Sequence, residues 1–258
     1  MTRIYALIAT AVILFSATHA GGQENRPFKE IIAMGDAAYR RFDNSAALLN
    51  YQKALEMEPR SYEAAWKLAR AYVDVGENLH DKADRRGHYE KAHEAARKAV
   101  GINPQAAEGH LWLSIALGRV ALDAGGKEKV KLSKEIRSEV EKALAIDPGE
   151  DLGWLVLGLW HRNVATLNWI ERKFADLFFG GVPKDASLEK AVDCLRKAVE
   201  LNDAHINNHL ELGITYEMVG EKDKAILEYR RVLELPISDS DDKVHKKEAK
   251  RRLTGLRD

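Results

Sequence analysis

The sequence predicts an all-α solenoid of stacked helix pairs, and three observations point there. The chain has 258 residues with only 6 prolines, and it is rich in Ala, Leu, Glu and Lys, the residues that lose least in a helix. Its 45% hydrophobic content is enough to bury a core. The same order of small and large residues also returns several times between residues 28 and 237, with prolines at 59, 104, 148 and 236 closing four of the recurrences.

Each recurrence reads as two helices. The first carries a large residue, then Leu-Gly, then Tyr. The second carries Ala, an aromatic four residues later, another Ala, and a closing Pro. Small residues let the two helices approach, large ones fill the gap, and proline stops the second helix. In the first unit (28–61) the pattern is Ile31, Met34, Gly35 and Ala38, then Ala47, Tyr51, Ala54 and Pro59. The fifth (206–237) has His209, Leu212, Gly213 and Tyr216, then Ala225, Tyr229, Val232 and Pro236.

The three units between them fit when the connection inside each pair is lengthened. The second (62–106) uses Ala65, Leu68, Ala69 and Tyr72, then Ala92, Ala96, Ala99 and Pro104. The third (107–150) uses His110, Leu113, Ser114 and Leu117, then Ile136, Val140, Ala143 and Pro148. The fourth (151–205) uses Trp154, Leu157, Gly158 and His161, then Ala191, Leu195 and Ala198. The extra residues are expected in the loop joining the two helices, so they map to one rim. These spacings resemble the tetratricopeptide repeat, a period of about 34 residues that stacks into a right-handed superhelix. Residues 238–258 read as a capping helix with an acidic start at Asp239–Asp242 and a solvated basic run over Lys246, Lys247, Lys250, Arg251 and Arg252.

Residues 1–20 read as an export signal, with 21–27 a linker. Arg3 precedes an apolar run from Ile4 to Phe15, and Ala17-Thr18-His19-Ala20 offers a small-residue exit. The run is short of the roughly 20 residues of a membrane span, though an uncleaved anchor over residues 4–20 is the alternative. The expected location is periplasmic or extracellular. Lys plus Arg total 40 and Asp plus Glu total 40, so no basic excess points to nucleic acid.

Two stretches carry a closer resemblance. One runs from Leu167-Asn168-Trp169 through Glu171-Arg172-Lys173, Leu177-Phe178-Phe179-Gly180 and Pro183 to Ala186-Ser187-Leu188. The other is Leu235-Pro236-Ile237-Ser238-Asp239 with the Lys-rich helix after it. Both are similar to the regulator-of-microtubule-dynamics family, and the signal suggests an exported, bacterial-type relative. The resemblance implies a repeat protein of a kind associated with membranes and microtubules, one member of which binds phospholipid.

The concave face of such a superhelix is lined by two positions on the first helix of each unit. Here these are Ile32 and Asp36, Trp66 and Arg70, Leu111 and Ile115, Leu155 and Leu159, then Leu210 and Ile214. The Lys and Asn clamp that grips a C-terminal carboxylate in chaperone-binding relatives is missing. Six successive apolar positions call for a cover, because exposed apolar surface costs about 25 cal/mol per Å². Trp169, Phe174, Leu177, Phe178 and Phe179 are candidates to fold back over the groove. Arg119, Arg162, Asn163 and Glu217 are expected at its edge. The expected function is a non-enzymatic scaffold for a protein partner, with an apolar ligand such as a phospholipid as the alternative.

No cofactor is expected, because no phosphate loop or nucleophile motif occurs. His205 and His209 stand at a spacing that can share a metal, but the intervening Ile206 and the lack of a third ligand favour packing. Cys194 reads as a packing residue, and Gly125-Gly126 and Gly180-Gly181 as helix C-caps or hinges.

Overall fold

A computed structural model of the chain describes residues 26–168, 172–173, 183 and 185–256. Among them are eleven helices: α1 (Arg26–Tyr39), α2 (Asn44–Met57), α3 (Tyr62–Glu77), α4 (Lys82–Ile102), α5 (Ala107–Asp123), α6 (Gly126–Ile146), α7 (Asp151–Ala165), α8 (Leu188–Leu201), α9 (Ile206–Met218), α10 (Lys222–Glu234) and α11 (Asp242–Gly255). The first ten form five antiparallel pairs and the eleventh caps the last. No helix among the described residues is long and apolar enough to cross a membrane.

Helix starts are set by side chains that accept from the otherwise unpaired first-turn amides. Asp43, Ser61, Asp81 and Ser187 do so for α2, α3, α4 and α8. Within a pair, glycine sets the approach. A Cβ on Gly35 would lie 2.5 Å from the Tyr51 ring, and one on Gly213 would lie 2.7 Å from the Tyr229 ring. That is why the first helix carries glycine where the second carries an aromatic.

In the second and third units the inserted residues are helix, not loop. The joining segment is residues 40–43 in the first unit and 78–81 in the second, while α4 has 21 residues against 14 in α2. The third unit behaves alike, with a 21-residue α6 and only Ala124 and Gly125 between the helices. Helical growth beats loop growth because these stretches cap and pair as helices do. Asp81 caps α4, Arg86 pairs with Glu90, and Lys131 pairs with Glu135. The extension repeats the packing of the unit as well, since Gly76 faces Tyr89 as Gly35 faces Tyr51. Gly125, expected as a C-cap or hinge, instead has φ −70° and is the N-cap of α6, and Gly126 is that helix's first residue. Gly180 and Gly181 lie outside the described residues.

The capping helix also departs from expectation. Asp242 is buried and accepts from the Ser238 and Asp239 amides at 2.7 Å, so it holds the preceding turn rather than its own helix start. Lys246 is not solvated either; its ammonium donates to the Leu233 carbonyl at 2.9 Å and to that of Leu235, closing the C-terminus of α10. Arg252 reaches Glu217 on α9 at 3.1 Å.

The array curves back on itself. Ser240, just before α11, accepts from the Asn44 side-chain amide at the start of α2 at 3.1 Å, so the last segment meets the first unit. One core runs through the first three units and a second through the last two units and the cap.

Candidate functional site

The closure makes the concave face a cavity of about 950 Å³. Its floor is three parallel helices. α3 contributes Trp66 and Arg70, α5 Leu111 and Ile115, and α7 Leu155 and Leu159, six of the ten positions named from the sequence. The added turns deepen it: Asp74 and Glu77 on α3 and Gly118 and Arg119 on α5 continue the floor, while Val130, Ser133 and Ile136 on α6 rise beside it. Trp160 locks that wall, donating its indole N–H to the Ser133 carbonyl at 2.8 Å.

Several expected residues stand elsewhere. Leu210 and Ile214 pack in the C-terminal core. Ile32 is buried in the first unit, and Asp36 accepts from Tyr51 at 2.7 Å and Lys67 at 2.8 Å. Of the four expected edge residues, Arg119 and Asn163 line the cavity. Arg162 instead pairs with Glu211 at 2.6 Å, and Glu217 accepts from Tyr229 and Arg252. Both were misplaced because a helix face turned toward the neighbouring pair looks the same in sequence as one turned toward the groove. Trp169, Phe174, Leu177, Phe178 and Phe179, the expected cover, lie outside the described residues.

Trp112, Val156 and Trp160 line the cavity and had no place in the sequence reading. Their neighbours on the same helices, Leu111 and Leu155, were the available signal. Tyr39, Asp239, Asp241 and His245 also line it, brought there by the closure.

Arg70 is largely committed. Its guanidinium lies 3.6 Å from the Tyr39 ring centroid and 5.2 Å from that of Trp66, and it donates to the Tyr51 hydroxyl at 3.3 Å. Arg119 is paired with Glu77. Burial raises the Asp74 carboxyl from 3.8 to about 8; Arg70 and Arg119 oppose this, and the facing Asp239 and Asp241 reinforce it. Glu77 is also raised, again by burial first, with Asp241 adding to it against the pull of Arg119.

Neither histidine reading leads to a metal. His205 contacts Asp151 at 2.9 Å, whereas His209 is clamped between Glu228 at 2.6 Å and the Asp203 carbonyl at 3.0 Å. His110 makes the same clamp with Glu139 and the Pro104 carbonyl, which identifies it as a packing device of the repeat. Among the described residues no group of three or more His, Cys, Asp or Glu could hold a metal. Cys194 is buried, and burial raises its thiol to about 11, which keeps it inert.

Comparison with known proteins adds a lineage to this geometry. The family model described as Regulator of microtubule dynamics protein 1-3 matches residues 31–257. Regulator of microtubule dynamics protein 3 of Mus musculus is 26% identical over 184 residues, covering 71% of this chain and 39% of that protein. The chain thus spans well under half the length of that relative. Regulator of microtubule dynamics protein 1 of Bos taurus is 26% identical over 98% of this chain and 78% of its own length. Among solved structures, a thermophilic TPR protein of Thermus thermophilus superposes with a TM-score of 0.64 at 23% identity, over 86% of this chain and 98% of that one. Pseudomonas aeruginosa pilF gives 0.55 at 16% identity, over 90% and 93%. These structures share the fold.

Proposed function

The chain belongs to the Regulator of microtubule dynamics protein 1-3 family, and from that premise we propose that it is a non-enzymatic repeat scaffold whose concave cavity holds an apolar ligand. The observation that carries the proposal is the cavity itself. Its volume of about 950 Å³ falls in the range of ligand sites, roughly 300–1,000 Å³. Trp66, Trp112, Leu111, Ile115, Leu155 and Leu159 give it an apolar lining that the fold would otherwise have no reason to leave unfilled. The relatives are named for microtubule dynamics; what this chain shares with them is the repeat region, and the cavity belongs to that region.

An amphipathic helix of a partner protein is the second reading, favoured by the cavity being only part enclosed. We further propose that residues 1–20 act as an export signal and that the mature chain works outside the cytoplasm, which the N-terminal sequence of the protein recovered from a periplasmic fraction would test.

Dodecan-1-ol, uncharged and apolar, is the probe for the cavity. Its titration should change the emission of the tryptophans that line the site and saturate at one molecule per chain. Leu159→Trp, which fills the floor, should weaken it about tenfold or more, while Leu227→Ser on the exposed side of α10 should not. Equal binding by the Leu159→Trp variant, with its helix content intact, would contradict the proposal.

A further inference from the structure

Several helical glycines of this chain are explained by packing. A Cβ on Gly35 would lie 2.5 Å from the Tyr51 ring, and one on Gly158 would lie 2.7 Å from Leu195. Gly118 has no such reason. It stands inside α5 with nothing within 4 Å of a Cβ, and it lines the cavity. Glycine in a helix interior is less stable than alanine, so folding alone would favour a side chain here. Gly87 and Gly101 on α4 are as open, but neither lines the cavity.

The repeat sharpens the contrast. Counted from Ile31, Ala65, Trp154 and His209, the slot that Gly118 fills in the third unit holds Tyr39, Val73, Arg162 and Glu217 in the others. All four side chains are engaged: Tyr39 with Arg70, Val73 in the core, Arg162 with Glu211, and Glu217 with Tyr229 and Arg252. Along α5 the cavity-lining residues at helical spacing are Leu111, Ile115, Gly118 and Leu122. Ile115 and Leu122 are about 10 Å apart along the axis, and the apolar stripe is interrupted between them. The cavity closes down at one end, where Leu111 and Leu155 are 2% and 4% exposed, and opens at the other, where Leu122 is 63% exposed. The way from one end to the other passes Gly118.

Resting on the ligand reading of the cavity, we propose that Gly118 is a specificity-determining residue that sets the length of ligand the cavity accepts. The ligand is an unbranched apolar chain that starts against Leu155, passes Ile115 and crosses α5 at Gly118 toward Leu122. There it lies against bare helix backbone, in the space that a side chain would occupy. The gap is one residue wide, which suits a slender chain. A chain too short to reach Gly118 is indifferent to what stands there.

The test titrates hexan-1-ol, octan-1-ol, decan-1-ol and dodecan-1-ol into the full protein and follows tryptophan emission. In the unaltered chain affinity should climb about fourfold for each methylene along the series. In Gly118→Leu the climb should stop at a shorter alcohol, leaving hexan-1-ol unchanged and dodecan-1-ol about tenfold weaker or more. Gly118→Ala should weaken dodecan-1-ol about fourfold, the room of one methylene, while its melting temperature rises. That opposite movement of binding and stability separates a ligand contact from damage to the fold. Gly101→Leu, equally open but away from the cavity, should leave the whole series as it is. The same climb in Gly118→Leu as in the unaltered chain, or an equal loss for all four alcohols, would overturn the part assigned to Gly118 while leaving the cavity reading intact. If none of the four binds the unaltered chain, the cavity reading fails with it.

Discussion

The end units and the middle units of this solenoid solve different problems with one repeat. The first and fifth use their first-helix glycine to seat an aromatic ring, Tyr51 on Gly35 and Tyr229 on Gly213. Each ring then bonds a carboxylate, Tyr51 to Asp36 at 2.7 Å and Tyr229 to Glu217 at 2.5 Å. An arginine from the next helical layer, Arg70 or Arg252, completes each set. The middle units give up part of that economy. Their longer helices, α3 to α7, reach beyond the consensus contacts and enclose space instead of filling it. The lesson is that insertions kept helical preserve the stacking of a solenoid while changing the depth of its concave face.

Substitutions can break this contrast, and the largest effect is expected at the ends. Gly213→Val should cost about 3 kcal/mol in urea unfolding, because its side chain has nowhere to go against Tyr229. The same loss from a valine at Gly118 would deny the contrast, since nothing lies within 4 Å of a Cβ there.

Next in size is the acid end of the cavity. The Asp74 carboxyl sits at about 8 in the folded chain against its ordinary 3.8, so the folded state holds its proton longer than the unfolded one. The stability linked to it is complete below pH 3.8 and is lost as pH rises toward 8. Asp74→Asn should flatten that slope and leave the variant about 2 kcal/mol more stable than the parent above the upper value, read from unfolding curves across pH. His209 acts in the same direction on a smaller scale. Burial lowers it, but Glu228 and the Asp203 carbonyl outweigh that and raise it above 6.5, so its contribution fades as pH climbs past that point. His209→Gln should remove this component alone.

Smaller still, Tyr229→Phe should lose about 1–1.5 kcal/mol by freeing Glu217 of its hydroxyl donor while Arg252 stays. The smallest effect has the opposite sign. Gly118→Ala on the cavity floor should gain about 0.5–1 kcal/mol, the ordinary benefit of alanine inside a helix.

The same contrast explains what was legible in the sequence. Ile31 to Pro59 and His209 to Pro236 were readable because a repeat consensus records contacts made within one pair. Trp66, Arg70, Leu111, Ile115, Leu155 and Leu159 followed from them by helical register. The two-turn extension of α4 was not readable as helix, since Lys82–His88 is too polar to show an apolar stripe. The closure was out of reach altogether. It rests on contacts such as Asn44 with Ser240, 196 residues apart, and no local spacing announces them. With the closure unseen, the carboxyl groups that the last segment brings to the cavity could not be placed, and a polar edge of Arg119, Arg162, Asn163 and Glu217 was expected instead.

The most direct test of the central claim is native mass spectrometry of the chain purified without detergent, before and after extraction with organic solvent. The account predicts one apolar small molecule per chain in the native spectrum, lost on extraction, and absent from the Leu159→Trp variant. A native mass equal to that of the bare chain, together with no uptake of dodecan-1-ol on addition, would contradict it.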